Sequence, residues 1–353
     1  MSRFFSDKFS SLTPYTPGEQ PKDRRFVKLN TNESPFAPSQ KAREYAATAA
    51  KSLQLYCDID CTKLCEKLAR MYGIKKENVL FTNGSDEALN FAFAAFCDDG
   101  CPAVFPDITY GFYPVFAQLN HVPYEEIPLN EDFSVNVDDY IGVNKTIFIA
   151  NPNAPTGIAL SLSDIERILA GNPDTIVVVD EAYVDFGAES AVGLIDRYDN
   201  LLVTQTFSKS RSLAGGRLGM AIGCADIIRD LNTVKFSTNP YNVNSMTQAA
   251  GLGALEDQAY FEKNCATIME NRAYLTRELE KLGFVTTDSS TNFVFVKHPE
   301  IDGEKLYREL KERGVLIRHF TLSRIKDYNR ITVGTKEQID VLLNNIKAII
   351  GGY

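Results

Sequence analysis

The chain has 353 residues, of which 44% are hydrophobic and 24% are charged. This length suggests two or more packed domains or subdomains, and the composition is ordinary for a globular protein. The formal net charge of −9, without a dense run of Lys and Arg, argues against a nucleic-acid-binding surface. No apolar stretch approaches the roughly 20 residues that span a bilayer, and the first nine residues lack a signal-peptide core. We therefore expect a cytoplasmic protein that binds neither nucleic acid nor membrane.

The chain contains seven cysteines and three histidines. An odd number of cysteines without a secretion signal indicates reduced thiols. Cys57, Cys61 and Cys65 recur every four residues, but no histidine lies nearby to complete a metal site. Free cysteine packs well as a small apolar residue. We therefore expect no metal centre.

The first part of the chain is rich in proline, which forbids long helices. Residues 1–40 are therefore expected to form an irregular arm, in which the polar segment 28–35 is either a plain surface segment or a loop that reaches a site. Helical patterns follow at about residues 39–53 and 61–72. The second ends at Gly73, a good helix stop.

Short apolar segments then alternate with helical ones. The predicted strands lie at residues 79–82, 103–105, 146–150, 176–179 and 201–204, and a helix is predicted at residues 88–96. Strands that alternate with helices make a parallel sheet with helices on both faces, which is the α/β class.

The C-terminal part begins with a long helical pattern over residues 246–282. The later elements are a strand at 291–296, a helix at 305–313, extended segments at 315–318 and 330–333, and a closing helix at 336–349. We interpret this part as a smaller α/β domain that the N-terminal arm joins. The predicted division is an arm over residues 1–40, a large domain over 41–245 and a small C-terminal domain over 246–353.

Several residues of possible functional interest fall at or shortly after the carboxyl ends of predicted strands. They are Gly84, Tyr110, the turn at residues 151–157, Asp180 and Lys209. Each taken alone has an ordinary explanation, such as a helix start, a helix cap or a core tyrosine. In parallel α/β sheets, however, ligands bind at the carboxyl ends of the strands. The convergence of these residues on one sheet edge predicts a ligand site there.

The chemistry of these residues favours a phosphorylated pyridine aldehyde as the ligand. Lys209 could form a Schiff base with the aldehyde, although a solvated loop is the alternative for this lysine taken alone. Asp180 could keep the ring nitrogen protonated, which makes the ring an electron sink. Tyr183 could hydrogen-bond the phenolic oxygen of the ring, and Tyr110 could stack on its face.

The phosphate of such a ligand has separate candidate partners. After the turn at Gly84, the backbone N–H groups near Ser85 and Asp86 lie at a helix start, where anions bind. The Ser208 hydroxyl could donate a hydrogen bond, and Arg217 could form a charge-assisted pair.

Several motifs together resemble the histidinol-phosphate aminotransferase family, whose members are fold-type I pyridoxal-phosphate (PLP) enzymes. The likeness covers nearly the whole chain, and the combination is more specific than the Ser-Lys and Asp-Glu-Ala-Tyr motifs, which many PLP enzymes share. The motifs are Pro-Gly-Glu-Gln-Pro (17–21), Leu-Asn-Thr-Asn-Glu (29–33), Asn-Gly-Ser-Asp-Glu (83–87), Asn-Pro-Asn-Ala-Pro-Thr-Gly (151–157), Asp-Glu-Ala-Tyr (180–183), Thr-Phe-Ser-Lys (206–209), Ala-Gly-Gly-Arg-Leu-Gly (214–219), Tyr-Asn-Val-Asn (241–244) and Arg-Ile-Thr-Val-Gly-Thr (330–335). The resemblance implies a large domain with a mostly parallel seven-stranded sheet between helices, and a smaller α/β C-terminal domain.

The resemblance also implies roles for the site residues. Lys209 would carry pyridoxal 5'-phosphate and act as the base, while Asp180 and Tyr183 would tune its ring. Tyr56 would reach the phosphate of the neighbouring subunit's cofactor, so a homodimer is implied. The cofactor-binding set is Gly84, Ser85, Asp86, Tyr110, Asn153, Asp180, Tyr183, Ser208, Lys209, Arg217 and Tyr56.

The substrate-binding residues implied by the resemblance are Tyr15, Asn32, Arg318 and Arg330. They would bind the phosphate of the amine substrate and the carboxylates of glutamate and 2-oxoglutarate. A site that accepts both a phosphate ester and a dicarboxylate favours planar guanidinium groups.

Two positions depart from the family pattern. Ala154 stands where the family usually has a second asparagine, which affects the hydrogen bond to the phenolic oxygen of the cofactor. Either Asn153 replaces that contact or Tyr183 acts alone. Cys57 stands where the family commonly has proline, and we expect little effect.

The resemblance favours the aminotransferase reaction, in which histidinol phosphate and 2-oxoglutarate are interconverted with imidazole-acetol phosphate and glutamate. A threonine-phosphate decarboxylase is an alternative on the same fold, because it also needs phosphate-binding arginines. An aromatic amino acid aminotransferase is a further alternative on this fold. A non-catalytic PLP-binding regulator would need an added DNA-binding domain or a lost lysine, and the sequence shows neither.

Overall fold

The computed structural model describes residues 2–10, 12–22 and 24–351. The α-helices are α1 (Gln40–Ala49), α2 (Thr62–Tyr72), α3 (Ser85–Phe96), α4 (Tyr113–Leu119), α5 (Leu162–Gly171), α6 (Ala225–Thr238), α7 (Ser245–Glu256), α8 (Gln258–Lys281), α9 (Gly303–Glu312) and α10 (Lys336–Ile350). The strands are β1 (Val27–Lys28), β2 (Val79–Thr82), β3 (Ala103–Pro106), β4 (Tyr124–Ile127), β5 (Thr146–Ala150), β6 (Val177–Asp180), β7 (Leu201–Thr206), β8 (Gly219–Gly223), β9 (Val285–Thr286), β10 (Phe293–Lys297), β11 (Val315–Leu316), β12 (Arg318–His319) and β13 (Tyr328–Thr332).

The larger sheet has seven strands in the order β2-β8-β7-β6-β5-β3-β4. Only β8 runs antiparallel to its neighbours, β2 and β7, and the other pairs are parallel. The central strands are mostly apolar and buried along their whole length, as expected for a sheet that helices cover on both faces. These features confirm the predicted α/β class and the mostly parallel sheet.

Two strands of this sheet leave little trace in the sequence. β4 is an edge strand whose Tyr124, Glu125 and Glu126 are exposed, so it lacks an apolar run. β8 starts and ends with glycine, which usually signals a turn. At Gly219 the glycine is required by packing, because a Cβ atom would lie 2.2 Å from the backbone nitrogen of Ser85.

Two predicted helices differ in their bounds. Helix α3 starts at Ser85 rather than Ala88, so its first turn includes two acidic residues. The long helical pattern over residues 246–282 is two helices, α7 and α8, which meet at Asp257. The backbone of Asp257 leaves the helical region, with ψ of 58°.

The second sheet has four antiparallel strands in the order β12-β13-β10-β9. It packs with α8, α9 and α10 around a separate apolar core that includes Phe284, Val294 and Leu343. The N-terminal arm contributes to this core, because β1 pairs in parallel with β11 and Leu29 is buried there.

The arm continues from β1 into the space between the two sheets. The backbone nitrogen of Asn32 donates to the Thr332 hydroxyl on β13, and the Asn32 side chain donates to the Tyr183 hydroxyl after β6. Residues 30–32 therefore connect the carboxyl edge of the larger sheet to the smaller sheet. Within the described ranges, no helix is long and apolar enough to cross a membrane.

Candidate active site

A cavity of about 380 Å³ lies at the carboxyl ends of β5, β6 and β7. The last residues of these strands, Ala150, Asp180 and Thr206, line it. Ser85 and Asp86, at the start of α3, also line it. This is the edge at which parallel α/β sheets bind ligands.

Lys209 follows β7 by three residues, and its side chain lines the cavity. Its Nζ atom donates a hydrogen bond to the carbonyl oxygen of Thr31 at 3.4 Å. The same atom is 5.7 Å from the centre of the Tyr183 ring. A primary amine is therefore held at the junction of the sheet and the arm, where it can react with a bound carbonyl group.

The start of α3 forms an anion-binding surface. Gly84 precedes the helix with φ of +78°, a backbone region that glycine adopts readily. A Cβ atom at Gly84 would lie 2.5 Å from the guanidinium group of Arg217, so glycine permits that close approach. Arg217 donates to the Asp86 carboxylate at 3.1 Å, and Ser208 lines the same cavity. Helix N–H groups, a hydroxyl and a guanidinium together suit a phosphate.

Asp180 is buried at the end of β6, with 4% of its surface exposed. It accepts hydrogen bonds from the Thr204 hydroxyl at 3.1 Å and from the Tyr113 hydroxyl at 3.2 Å. Burial raises the pKa of Asp180 to about 6, and the two hydroxyl donors partly oppose that rise. A carboxylate in this setting gains most from a cationic partner, such as a protonated ring nitrogen.

Tyr110 follows β3 and lines the cavity. Its hydroxyl donates to the Asp86 carboxylate at 2.7 Å, and its ring meets that of Tyr113 edge-on at 5.7 Å. These contacts fix the Tyr110 ring beside the anion-binding surface. The geometry is compatible with the stacking role predicted from the sequence.

A second cavity of about 350 Å³ adjoins the first and shares Lys209, Tyr110 and Tyr183 with it. It is lined by arm residues on one side and by Arg318 and Arg330 of the C-terminal sheet on the other. The two cavities thus place the reactive amine of Lys209 between an anion-binding helix start and a pair of arginines.

Arg330 is partly buried, and its Nε atom is fully buried and unpaired. It donates to the carbonyl oxygen of Asn30 at 3.2 Å, and its guanidinium carbon is 5.3 Å from the centre of the Phe293 ring. Its Nε–H has no hydrogen-bond partner in residues 2–10, 12–22 and 24–351. Burial lowers the pKa of Arg330. A partly buried guanidinium with an unused, buried Nε–H donor is well suited to a negatively charged ligand.

Arg318 of the C-terminal sheet and Tyr15 of the arm also line the second cavity. Arg318 donates to the backbone oxygens of Pro17 and Thr16, both at 3.4 Å, and so contacts the arm. Tyr15 stacks on Phe112 with ring centres 4.4 Å apart. The arm therefore contacts Arg318 of the smaller sheet and Phe112 beside the larger one, and its residues line the cavity between them.

Comparison with known proteins identifies the family. The sequence profile of aminotransferase class I and II matches residues 24–346. The histidinol-phosphate aminotransferase from Marinomonas sp. is 48% identical to this chain, over 99% of this chain and 100% of that protein. The one from Brachyspira hyodysenteriae is 46% identical, over 99% of both proteins. The chain belongs to the histidinol-phosphate aminotransferase family, within the class I and II aminotransferases. A crystal structure of the Sinorhizobium meliloti histidinol-phosphate aminotransferase with pyridoxal-5'-phosphate has the same fold, with a TM-score of 0.89 at 21% identity, covering 100% of this chain and 99% of that one.

Class I and II aminotransferases are PLP-dependent, and the residues of the first cavity fit that cofactor. The phosphate would take the α3 start, Ser208 and Arg217, and the ring nitrogen would face Asp180. Two observations support the fit. A Cβ atom at Gly84 would fill the space beside the Arg217 guanidinium, and the carboxyl group of Asp180 is buried. The cofactor prediction is confirmed at the level of the family, whereas the individual residue roles stay predictions.

Asn153 and Ala154 occupy different positions relative to the cavity. Ala154 lines it, but it has no polar group to offer. Asn153 is buried, its Oδ1 accepts from Thr109, and its Nδ2 donates to the Ile108 carbonyl and the Thr156 hydroxyl. Its amide is thus used to hold the turn. The arrangement favours Tyr183 acting without Asn153, although the predicted role of Asn153 is untested.

Asn32 lines the second cavity, as a predicted substrate residue should, but its side chain is engaged within the protein. Its Nδ2 donates to the Tyr183 hydroxyl and its Oδ1 accepts from the Thr332 hydroxyl. The substrate-binding role of Asn32 therefore remains a prediction that this geometry does not favour.

Tyr56 lies outside both cavities of its own chain. It is 84% exposed and stacks on Tyr241 with ring centres 4.4 Å apart. Leu53 and Leu55 beside it are also exposed. Such a cluster of exposed apolar side chains is typical of a protein–protein contact. The position is compatible with a residue that serves a neighbouring subunit.

Several supporting residues have no role predicted from the sequence, although Thr31 and Thr332 lie within the family motifs. Thr204 and Tyr113 hold Asp180, Thr31 contacts Lys209, and Thr332 holds Asn32. Thr204 was recognisable only as a strand residue preceding the Ser-Lys motif. The others act across long sequence separations, which a local pattern does not reveal.

Glu181, next to Asp180, faces away from the cavity into a separate polar network. It accepts from the Ser190 hydroxyl, the Ala191 backbone nitrogen and the Gln205 amide. Burial raises the pKa of Glu181 to about 7, which these donors partly oppose. The two adjacent acidic residues therefore differ: Asp180 lines the cavity, whereas Glu181 connects the segment after β6 to Ser190, Ala191 and Gln205.

Proposed function

We propose that the protein is a histidinol-phosphate aminotransferase of histidine biosynthesis. It would interconvert histidinol phosphate and 2-oxoglutarate with imidazole-acetol phosphate and glutamate. The observation that carries the proposal is that Lys209 and Arg330, whose buried Nε–H is unpaired, line one cavity. The names of relatives with 46–48% identity over nearly the whole chain support this substrate.

The arginine side of the cavity suits both substrates of the exchange. Arg318 and Arg330, with the Tyr15 hydroxyl, would bind the phosphate of histidinol phosphate. The same groups would bind the distal carboxylate of glutamate when the second substrate enters. Planar guanidinium groups accept both kinds of anion because they donate paired hydrogen bonds to two oxygens.

Each polar residue of the cavity then has one task in the proton transfer. When bound, PLP supplies an electron sink that makes the C–H bond beside the substrate amine acidic. Lys209 Nζ takes that proton as a base, from its place between the sheet and the arm. Asp180 stays ionised against the ring nitrogen, held by Thr204 and Tyr113. Arg330 orients the substrate from the far end.

The visible absorption spectrum of the purified protein tests this proposal. Histidinol phosphate added without a keto acid should abolish the cofactor's visible band, and 2-oxoglutarate should restore it. Phosphothreonine and phenylalanine are the comparison compounds. A band that responds only to phenylalanine, or phosphothreonine that loses CO₂, would replace the proposed substrate. No response to any of the three would refute the substrate assignment.

Lys209→Ala tests the amine itself. The variant should lose the covalently attached cofactor and nearly all turnover. Lys297→Ala, on β10, provides a control lysine that does not line either cavity. Unchanged turnover in Lys209→Ala would contradict the assignment.

We also propose a homodimer in which Tyr56 of one subunit reaches the cofactor phosphate of the other. Mixing Lys209→Ala with Tyr56→Ala subunits tests this, because only a mixed dimer contains a site with both residues intact. Random mixing of two inactive variants should recover about a quarter of the normal activity. Activity no higher than the sum of the separate variants would show that Tyr56 is not shared between subunits.

A further inference from the structure

The hydroxyl oxygen of Tyr183 accepts a hydrogen bond from the buried Asn32, which in turn contacts the buried Thr332. We propose that Asn32 is a positioning residue, which turns the Tyr183 hydroxyl hydrogen toward the cofactor pocket and is itself fixed by Thr332. This inference rests on the PLP site proposed above, and it gives Asn32 a role different from substrate binding.

The contacts of Asn32 are complete and mutually consistent. It is 1% exposed, and its φ of +56° is a left-handed conformation that asparagine tolerates. Its backbone N–H donates to the Thr332 hydroxyl at 2.9 Å, and its Oδ1 accepts from that hydroxyl at 3.0 Å. The Asn292 amide donates to its carbonyl oxygen at 2.9 Å. Its Nδ2 then donates to the Tyr183 hydroxyl oxygen at 2.9 Å.

Hydrogen-bond accounting fixes the orientation of the Asn32 amide. The Thr332 hydroxyl oxygen already accepts the Asn32 backbone N–H, so its hydrogen is directed to Oδ1. With the amide reversed, Nδ2 would face Thr332, and the buried hydroxyl hydrogen would have no acceptor. The observed orientation is the one in which each of these hydrogens is used.

This orientation determines what Tyr183 can do. Because its oxygen accepts from Asn32, its own hydrogen is free for another acceptor, and the side chain lines the cavity. Ala154 brings no donor to that cavity. Tyr183 thus carries alone a contact to the phenolic oxygen that the family usually shares with an asparagine. A reversed Asn32 amide would draw the Tyr183 hydrogen away from the ligand.

The test is the pH at which the visible absorption of the bound cofactor changes, measured without substrate. A hydrogen bond to the phenolic oxygen withdraws electron density and lowers that pH. Thr332→Val removes the hydroxyl that fixes Asn32 without adding charge. It should raise the midpoint by up to about one pH unit, the size expected from losing one hydrogen bond to a charged oxygen. Thr332→Ser keeps the hydroxyl and should restore the normal midpoint.

A double-variant comparison separates positioning from other roles. Tyr183→Phe should raise the midpoint, and adding Thr332→Val or Asn32→Ala to it should cause no further rise. Additive shifts would overturn the proposal, as would a normal midpoint in both Thr332→Val and Asn32→Ala. If Asn32 binds substrate instead, Asn32→Ala should raise KM and leave the midpoint unchanged. A purified protein without a visible cofactor band would refute the PLP site rather than this inference.

Discussion

Arg330→Met separates the cost of a partly buried charge from its use in binding. In the ligand-free protein, Arg330 is partly buried with a buried, unpaired Nε–H, and desolvation lowers its pKa. We expect the substitution to abolish tight binding of the phosphorylated substrate while changing the stability of the ligand-free protein little. An apolar side chain of similar length often replaces a buried charge at no net cost.

The magnitudes follow from the contacts. Removing the guanidinium relieves an unpaired donor, worth about 1–3 kcal/mol. It also loses the hydrogen bond to Asn30 and the contact with Phe293, each worth roughly 1 kcal/mol. These effects nearly cancel. Substrate binding, however, loses two charge-assisted hydrogen bonds, about 3–6 kcal/mol together, which corresponds to a roughly 10²- to 10⁴-fold weaker affinity.

Arg272→Met is the matched control. Arg272 donates to the carbonyl oxygens of Phe186 and Thr291 and lines neither cavity. Its loss should cost about 2–4 kcal/mol of stability, because two buried carbonyl groups lose their donor, and should leave substrate affinity unchanged. Thermal unfolding of the cofactor-free protein and titration of the cofactor's visible band with histidinol phosphate measure the two quantities. Affinity of Arg330→Met within threefold of normal would refute this reasoning.

Two further predictions concern pH and the phosphate site. Burial raises the pKa of Asp180 to about 6 and that of Glu181 to about 7, so their stabilising effect is complete below pH ~4 and is lost as the pH rises through 6–7. The melting temperature of the cofactor-free protein should therefore fall between pH 5 and pH 8 by more than that of the Asp180→Asn variant. An equal fall in the two proteins would contradict this. Gly84→Ala should weaken PLP binding ~10-fold or more, because its Cβ atom would displace Arg217 and its φ is positive. The assay is a PLP titration of the cofactor-free protein. Gly193→Ala is the control, because a Cβ atom there meets nothing within 4 Å. Equal PLP affinities of Gly84→Ala and Gly193→Ala would contradict the proposed phosphate site.

The sequence allowed the central sheet and the ends of its strands to be predicted because those signals are local. Apolar β-branched runs such as residues 176–179 have few alternatives to a buried strand, and residues within a few positions after such a strand lie near the carboxyl edge of the sheet. Lys209 and Asp180 were identified in this way. The exposed edge strand β4 and the glycine-bounded β8 lack that pattern, so only their pairing partners define them.

The supporting residues could not be predicted because their partners are distant in the chain. Thr332 and Asn32 are 300 residues apart, and Tyr113 and Asp180 are 67 apart. A threonine in a strand or a tyrosine at the start of a helix gives no sign of such a partner. The resemblance to a family supplied Asn32 as a site residue, but only the hydrogen bonds indicate which group it contacts.

Strand β13 links the two ends of the site. Arg330 and Thr332 are two residues apart on this strand, so their side chains project to the same side. Their partners, Asn30 and Asn32, have the same spacing on the arm. The arm therefore contacts β13 at two positions, with the proposed anion-binding arginine at one contact and the proposed positioning residue of Tyr183 at the other. A change in the position of β13 relative to the larger sheet must alter both contacts together, because one short segment carries them. The proposed substrate recognition and the proposed contact to the cofactor ring would for this reason depend on the same structural unit.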